Sequence, residues 1–102
     1  MNVYKNLYVS QELQNHQEEL IKNIQEKKTL FNIYIIVLAQ NEQNNLEIYN
    51  TALNIQHSFS TENVMIVGIA KGYHNALELV RTITQEIYET THDTDIRGYF
   101  LK

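Results

Sequence analysis

Val64 to Ala70, VMIVGIA, is the stretch that most restricts how this chain folds. It is short, apolar and rich in β-branched side chains, and it shows no polar alternation. A run of that kind suits a strand covered on both faces, as in a parallel sheet. Lys71-Gly72 then breaks the pattern, and Gly72 is able to take a positive φ at a sharp exit from the strand. From Tyr73 the period changes. Ala76, Leu77, Val80, Ile83, Thr84, Ile87 and Tyr88 recur at spacings of three and four, which predicts an amphipathic helix. Glu78, Arg81, Gln85, Glu86 and Glu89 fall largely on its other side. Glu78 and Arg81 stand at i, i+3 and are expected to pair, worth roughly 0.2–0.5 kcal/mol.

The remaining elements follow from the same reasoning. Ser10 is a suitable N-cap for a helix running to Lys28, with Leu13, Gln17, Leu20, Ile21 and Ile24 on one face. Its acidic residues come early and Lys27-Lys28 closes it, as the helix dipole prefers. Phe31 to Ala39, FNIYIIVLA, is apolar on both faces and reads as a central strand. Leu46, Tyr49, Ala52, Leu53 and Gln56 mark a shorter helix to about His57. Ile96 to Leu101, IRGYFL, reads as a final strand in which Gly98 marks a bulge or a close approach. Met1 to Val9 is too apolar for a tail and reads as an edge strand or a docking arm. The expected order is α-β-α-β-α-β in a single α/β domain covering residues 1–102. Alternating strands and helices argue for a three-layer architecture, with three helices around a three-stranded, mainly parallel sheet. Strand order 2-1-3 is preferred, because the doubly apolar Phe31–Ala39 then sits in the middle. No internal repeat or low-complexity linker divides the chain.

Composition removes several function classes. The 102 residues contain no cysteine, so disulfides, thiolate zinc sites and cysteine nucleophiles are excluded. A net charge of −4 without any basic stripe argues against a nucleic-acid partner. The N-terminal MNVYKNLYVSQEL lacks the apolar core of a signal peptide. The longest apolar run is far too short to span a bilayer. No membrane partner and a cytoplasmic location are therefore expected. Proline is absent while Asn, Ile, Lys and Tyr are common, which points to an AT-rich bacterial or phage genome.

Two surfaces are candidates for function. In open parallel sheets ligands bind beyond the carboxyl ends of the strands. That rim is expected to gather Asn41 and Glu42 from one loop with Lys71, Gly72, Tyr73 and His74 from the other. A strand-to-helix turn there aims backbone N–H groups and a positive helix end at one spot, which suits a phosphate or carboxylate. The dinucleotide G-x-G-x-x-G and the G-x-x-x-x-G-K-[ST] patterns are both absent, so the turn names no reaction and no cofactor. His57, His92, Asp93 and Asp95 carry metal-ligating groups, but no H-x-x-x-H pair pre-organises them, and no metal site is assigned. Asp93 and Asp95 are expected to cap a turn. The second surface comes from the seven tyrosines. Tyr4 and Tyr8 near one terminus, and Tyr99 and Phe100 near the other, suggest aromatic contacts beside open sheet edges. The expectation is a non-catalytic interaction or regulatory module, working with a protein partner or a second copy through an exposed sheet edge. The alternative is a small-ligand or phosphate-binding domain, possibly an enzyme, built on the Lys71–Asn75 turn.

Overall fold

The computed structural model describes residues 2–26, 28, 30–38, 46–52 and 65–101. Its strands are β1 (Asn2–Val9), β2 (Ile33–Leu38), β3 (Leu46–Asn50) and β4 (Met65–Lys71). Its helices are α1 (Gln17–Gln25), entered through a 3-10 segment Gln11–His16, then α2 (Tyr73–Thr91) and α3 (Ile96–Phe100). The class is α/β, and the described elements form three layers. The sheet differs from the expected one. Among the described residues it has four strands in the order β1-β4-β2-β3 and it is mixed: β1 pairs with β4 in parallel, while β2 is antiparallel to both β4 and β3.

Three segments account for the difference. Asn2–Val9, expected as an edge strand or a docking arm outside the three-stranded sheet, is strand β1, paired in parallel with β4. Leu46–Asn50, expected as helix, is strand β3, paired residue for residue with β2 from Leu38↔Leu46 to Tyr34↔Asn50. Its five residues also alternate. Leu46 and Ile48 pack toward one face of the sheet and Tyr49 toward the other, so the period-two reading wins once β2 offers an edge. Leu53 to His57, the rest of that expected helix, lies outside the described residues. Ile96–Leu101, expected as a strand, opens as helix α3. Asp95 Oδ1 accepts from Gly98 N–H at 3.0 Å, and Ile96 and Phe100, four apart, bury on one side. An i, i+4 apolar pair behind an aspartate cap specifies a turn of helix more strongly than the apolar run specifies a strand. Gly98 therefore serves the cap. A Cβ there would collide with the Asp95 carboxylate.

The sheet buries both faces. On the α1 side, Leu13 and Ile24 meet Ile33, Ile35, Val37, Ile66 and Ile69. On the α2 side, Ile83 and Ile87 meet Ile36, Leu38 and Val67, with Ile96 and Phe100 closing the end. β2 is interior, as its doubly apolar sequence predicts, and so is β4. Between the pairs Ile36↔Gly68 and Val37↔Ile66, β4 holds one extra residue, Val67. This bulge places Val67 and Gly68 on the same side. Gly68 then permits α2 to approach closely. A Cβ at that position would stand 3.1 Å from Leu79 Cδ2 and 3.2 Å from Ile36 Cδ1. Gly72 has φ +85°, the left-handed region expected of it at the strand exit. Ser10 stands at the N-cap position of the 3-10 segment, as expected, but its side chain makes no capping bond, and the residue ties β1 to β4. Its N–H donates to Ile69 O at 3.0 Å, and its Oγ accepts from Lys71 N–H at 3.2 Å.

Candidate functional site

β1 is an outer strand, and among the described residues nothing pairs with its free edge. Side chains along it alternate as the pleat requires. Val3, Leu7 and Val9 face the α1-side core, and Tyr4 and Tyr8 face the α2-side core. The strand is not flat. Asn2 and Val3 pair with Met65 and Ile66, and Tyr8 and Val9 pair with Gly68 and Ile69. Tyr4 to Leu7 thus stand opposite Val67 alone and form an arch, with Lys5 and Asn6 exposed at its crest. Because Ser10 N–H points to β4, strand alternation turns the N–H and C=O of Val9 toward the free edge.

The aromatic residues from the two ends of the chain meet here. The Tyr4 ring packs edge-on against Phe100 with centroids 4.8 Å apart. Tyr99 packs edge-on against Phe100 at 5.3 Å. Tyr8 lies beside this group and donates its hydroxyl to Glu86 Oε2 at 2.9 Å. Burial first, and then the Glu86 carboxylate, push the Tyr8 phenol above the usual tyrosine range. Tyr4, Tyr8, Tyr99 and Phe100 are therefore neighbours, as a common surface requires, but they differ in role. Phe100 is 3% exposed and belongs to the core, whereas Tyr4, Tyr8 and Tyr99 are half-buried at its rim. Leu101, 57% exposed, follows directly. Sequence reasoning missed Glu86, Lys5 and Asn6. Nothing in the spacing of Glu86 singles it out from its neighbours on α2, and the arch depends on pairing that the sequence does not display.

The second candidate site is not assembled as expected. Lys71 pairs with Ile33, at the start of β2, so the carboxyl ends of β2 and β4 lie at opposite ends of the sheet. A shared rim needs parallel strands, and these are antiparallel. Asn41 and Glu42 lie outside the described residues. Lys71, Gly72, Tyr73 and His74 do form a strand-to-helix turn, and it is closed from within. Gly72 N–H donates to Asn32 O at 2.8 Å, with Asn32 itself at φ 59°. Asn75 Nδ2 donates to Lys71 O at 2.8 Å and to Glu12 Oε2 at 3.1 Å. A carboxylate of the chain thus already sits by the positive end of α2. Tyr73 stacks edge-on near Tyr34 at 5.6 Å, and His74 is exposed.

At the far end of α2, His92 adopts φ 56° as the C-terminal residue of the helix turn. Asp93 Oδ1 accepts from Asp95 N–H at 3.1 Å, so both aspartates serve the turn into α3. Among the described residues no group of three or more His, Asp or Glu side chains gathers as a metal site would. His57 lies outside them. Beside this turn runs an open groove of about 430 Å³, bounded by Arg81, Gln85 and Tyr88 on α2 and by Thr94 and Ile96. A larger hollow of about 610 Å³ is bounded only by the consecutive residues Gln14–Glu19 and brings no distant groups together. No helix among the described residues is long and apolar enough to cross a membrane.

No family model matches the chain, and no curated protein and no solved structure is significantly similar to it.

Proposed function

We propose that this chain is a non-catalytic interaction module that assembles through the β1 edge, with a second copy of itself as the first partner. The observation that carries this reading is the packing of Tyr4 and Tyr99 on Phe100, with Tyr8 against the same cluster, beside a strand whose outer edge pairs with no described strand. Half-buried tyrosines present apolar area and a hydroxyl at low conformational cost, which suits the rim of an interface. Lys5 and the arch make the edge selective, because a lysine and a bulge are the devices that discourage indiscriminate strand pairing. Phosphate or small-ligand binding at Lys71–Asn75 ranks second, since Glu12 and Asn75 already occupy the electropositive end of α2.

The test is the mass in solution by light scattering across a range of concentrations. Assembly predicts a mass above the 12.0 kDa of one chain. Lys5→Glu combined with Leu101→Glu is expected to return it to one chain, and Lys71→Ala to leave it unchanged. Both altered positions, one on β1 and one directly after Phe100, are exposed, so loss of fold does not confuse the result. A mass of one chain at every concentration overturns self-assembly. Sensitivity to Lys71→Ala alone would move the site to the α2 turn.

A further inference from the structure

β1 holds one pattern twice: Asn2-Val3-Tyr4 and Asn6-Leu7-Tyr8, four residues apart. In an extended strand a four-residue step returns each side chain to the face it left. The packing follows that rule. Val3 and Leu7 both lie against the α1-side core, and Tyr4 and Tyr8 both lie against the α2-side core. The second triplet thus matches the first in residue type and in face. Only the first is opposite Met65 and Ile66, while Tyr8 and Val9 hold Gly68 and Ile69 and the arch takes up the slack. With Asn6 in the place of Asn2 opposite Met65, and Leu7 in the place of Val3 opposite Ile66, Tyr8 and Val9 need not move. The arch then disappears.

We propose that β1 is a two-register strand. The arched register is the one described above. In the straight register Asn6–Val9 alone hold the edge of β4, and Asn2–Lys5 leave the sheet as a free arm. A slip of one residue would turn every side chain to the wrong face, which is why register is normally fixed. A slip of four does not, and here it meets the same residue types. The number of paired residues is equal in the two registers. The arched register keeps Val3 and the Tyr4–Phe100 contact. The straight register returns conformational freedom to four residues, which offsets the burial of the two half-exposed side chains that it gives up. Whatever binds the free arm draws the equilibrium toward the straight register.

The chain has no cysteine, so an introduced pair reports one register without competition. Asn2→Cys with Met65→Cys bonds in the arched register, because those two are strand partners. Asn6→Cys with Met65→Cys bonds in the straight one, where the same partner distance meets disulfide geometry. None of the three positions is in the buried core. Each pair is equilibrated in a glutathione redox buffer and the disulfide is quantified by mass spectrometry. The expected result is that both pairs oxidise with an unchanged circular dichroism spectrum, and that the Asn6 pair loses the proton contact between the Tyr4 and Phe100 rings. An Asn6 pair that stays reduced where the Asn2 pair oxidises overturns the proposal. So does an oxidised Asn6 pair that keeps the ring contact. If both stay reduced, deletion of residues 2–5 decides. The straight register predicts a shortened chain with a single cooperative thermal transition, and its loss overturns the proposal.

Discussion

Tyr8 shows how one side chain ties the candidate surface to the core. Its ring lies among the partly buried residues of the α2-side cluster and its hydroxyl reaches Glu86 across 78 positions of sequence. Ionising it would set a phenolate in a partly desolvated place beside a carboxylate, so its folded-state pKa is raised, by burial first and then by Glu86. A raised pKa means that the folded chain holds this proton more tightly than the unfolded chain, whose tyrosines titrate at about 10. The contribution is therefore fully present below about pH 10 and is lost as the pH rises further. Thermal unfolding followed from pH 8 to 11 is expected to show a fall in Tm above about pH 10 that is shallower in Tyr8→Phe. At neutral pH the same substitution removes one hydrogen bond at the surface and should cost no more than about 1 kcal/mol. Equal slopes for the two proteins would place the Tyr8 hydroxyl in water. Tyr49 is also raised, by burial and then by Glu47, and the paired comparison cancels it.

At the scale of elements, α3 holds the surface in place through a short chain of causes. The Asp95 carboxylate caps the helix at the Gly98 N–H, the helix then directs Phe100 inward, and Tyr4 and Tyr99 rest on its ring. Asp95→Ala is expected to cost about 1 kcal/mol in urea denaturation, the usual worth of an N-cap. Phe100→Ala should cost about 3–5 kcal/mol, because it empties a core position. If Asp95→Ala is silent, the capping bond contributes nothing in solution and the account of α3 fails. The same element shows where sequence reasoning stops. The strand Met65–Lys71 and the helix Tyr73–Thr91 were legible because a β-branched run and a long 3.6 period each admit one reading. IRGYF and LEIYN are five residues each, short enough to satisfy both periods, and their partners decided between them. The three half-buried tyrosines Tyr4, Tyr8 and Tyr99 and the buried Phe100 are aromatic residues near the two termini, which is all that the sequence displays of them. That they share one edge depends on β1 pairing with β4, a contact between distant segments that no local pattern reports.

At the scale of the molecule, one sheet serves two cores. β2 sends Ile33, Ile35 and Val37 to the α1 side and Ile36 and Leu38 to the α2 side. The layers therefore share a wall one residue thick, and neither core can loosen without disturbing the side chains behind it. Ile24 of α1 is 1% exposed and Ile83 of α2 is fully buried. Ile24→Ala and Ile83→Ala should each cost about 2–5 kcal/mol, a large part of the roughly 5–15 kcal/mol that holds a small domain together. The informative readout is the shape of the transition. If the sheet couples the layers, each variant unfolds in one step at a lower denaturant midpoint, with helix content and tyrosine fluorescence changing together. The α1 layer has the weaker frame, since its helix is nine residues long against nineteen for α2. A separate early transition in Ile24→Ala, with Ile83→Ala still unfolding in one step, would show that α1 comes away alone. The β1 edge would then be anchored by its α2-side tyrosines and not by Val3, Leu7 and Val9. That outcome bears directly on the surface, because only an edge held from both sides keeps Lys5 and Asn6 at the crest of the arch.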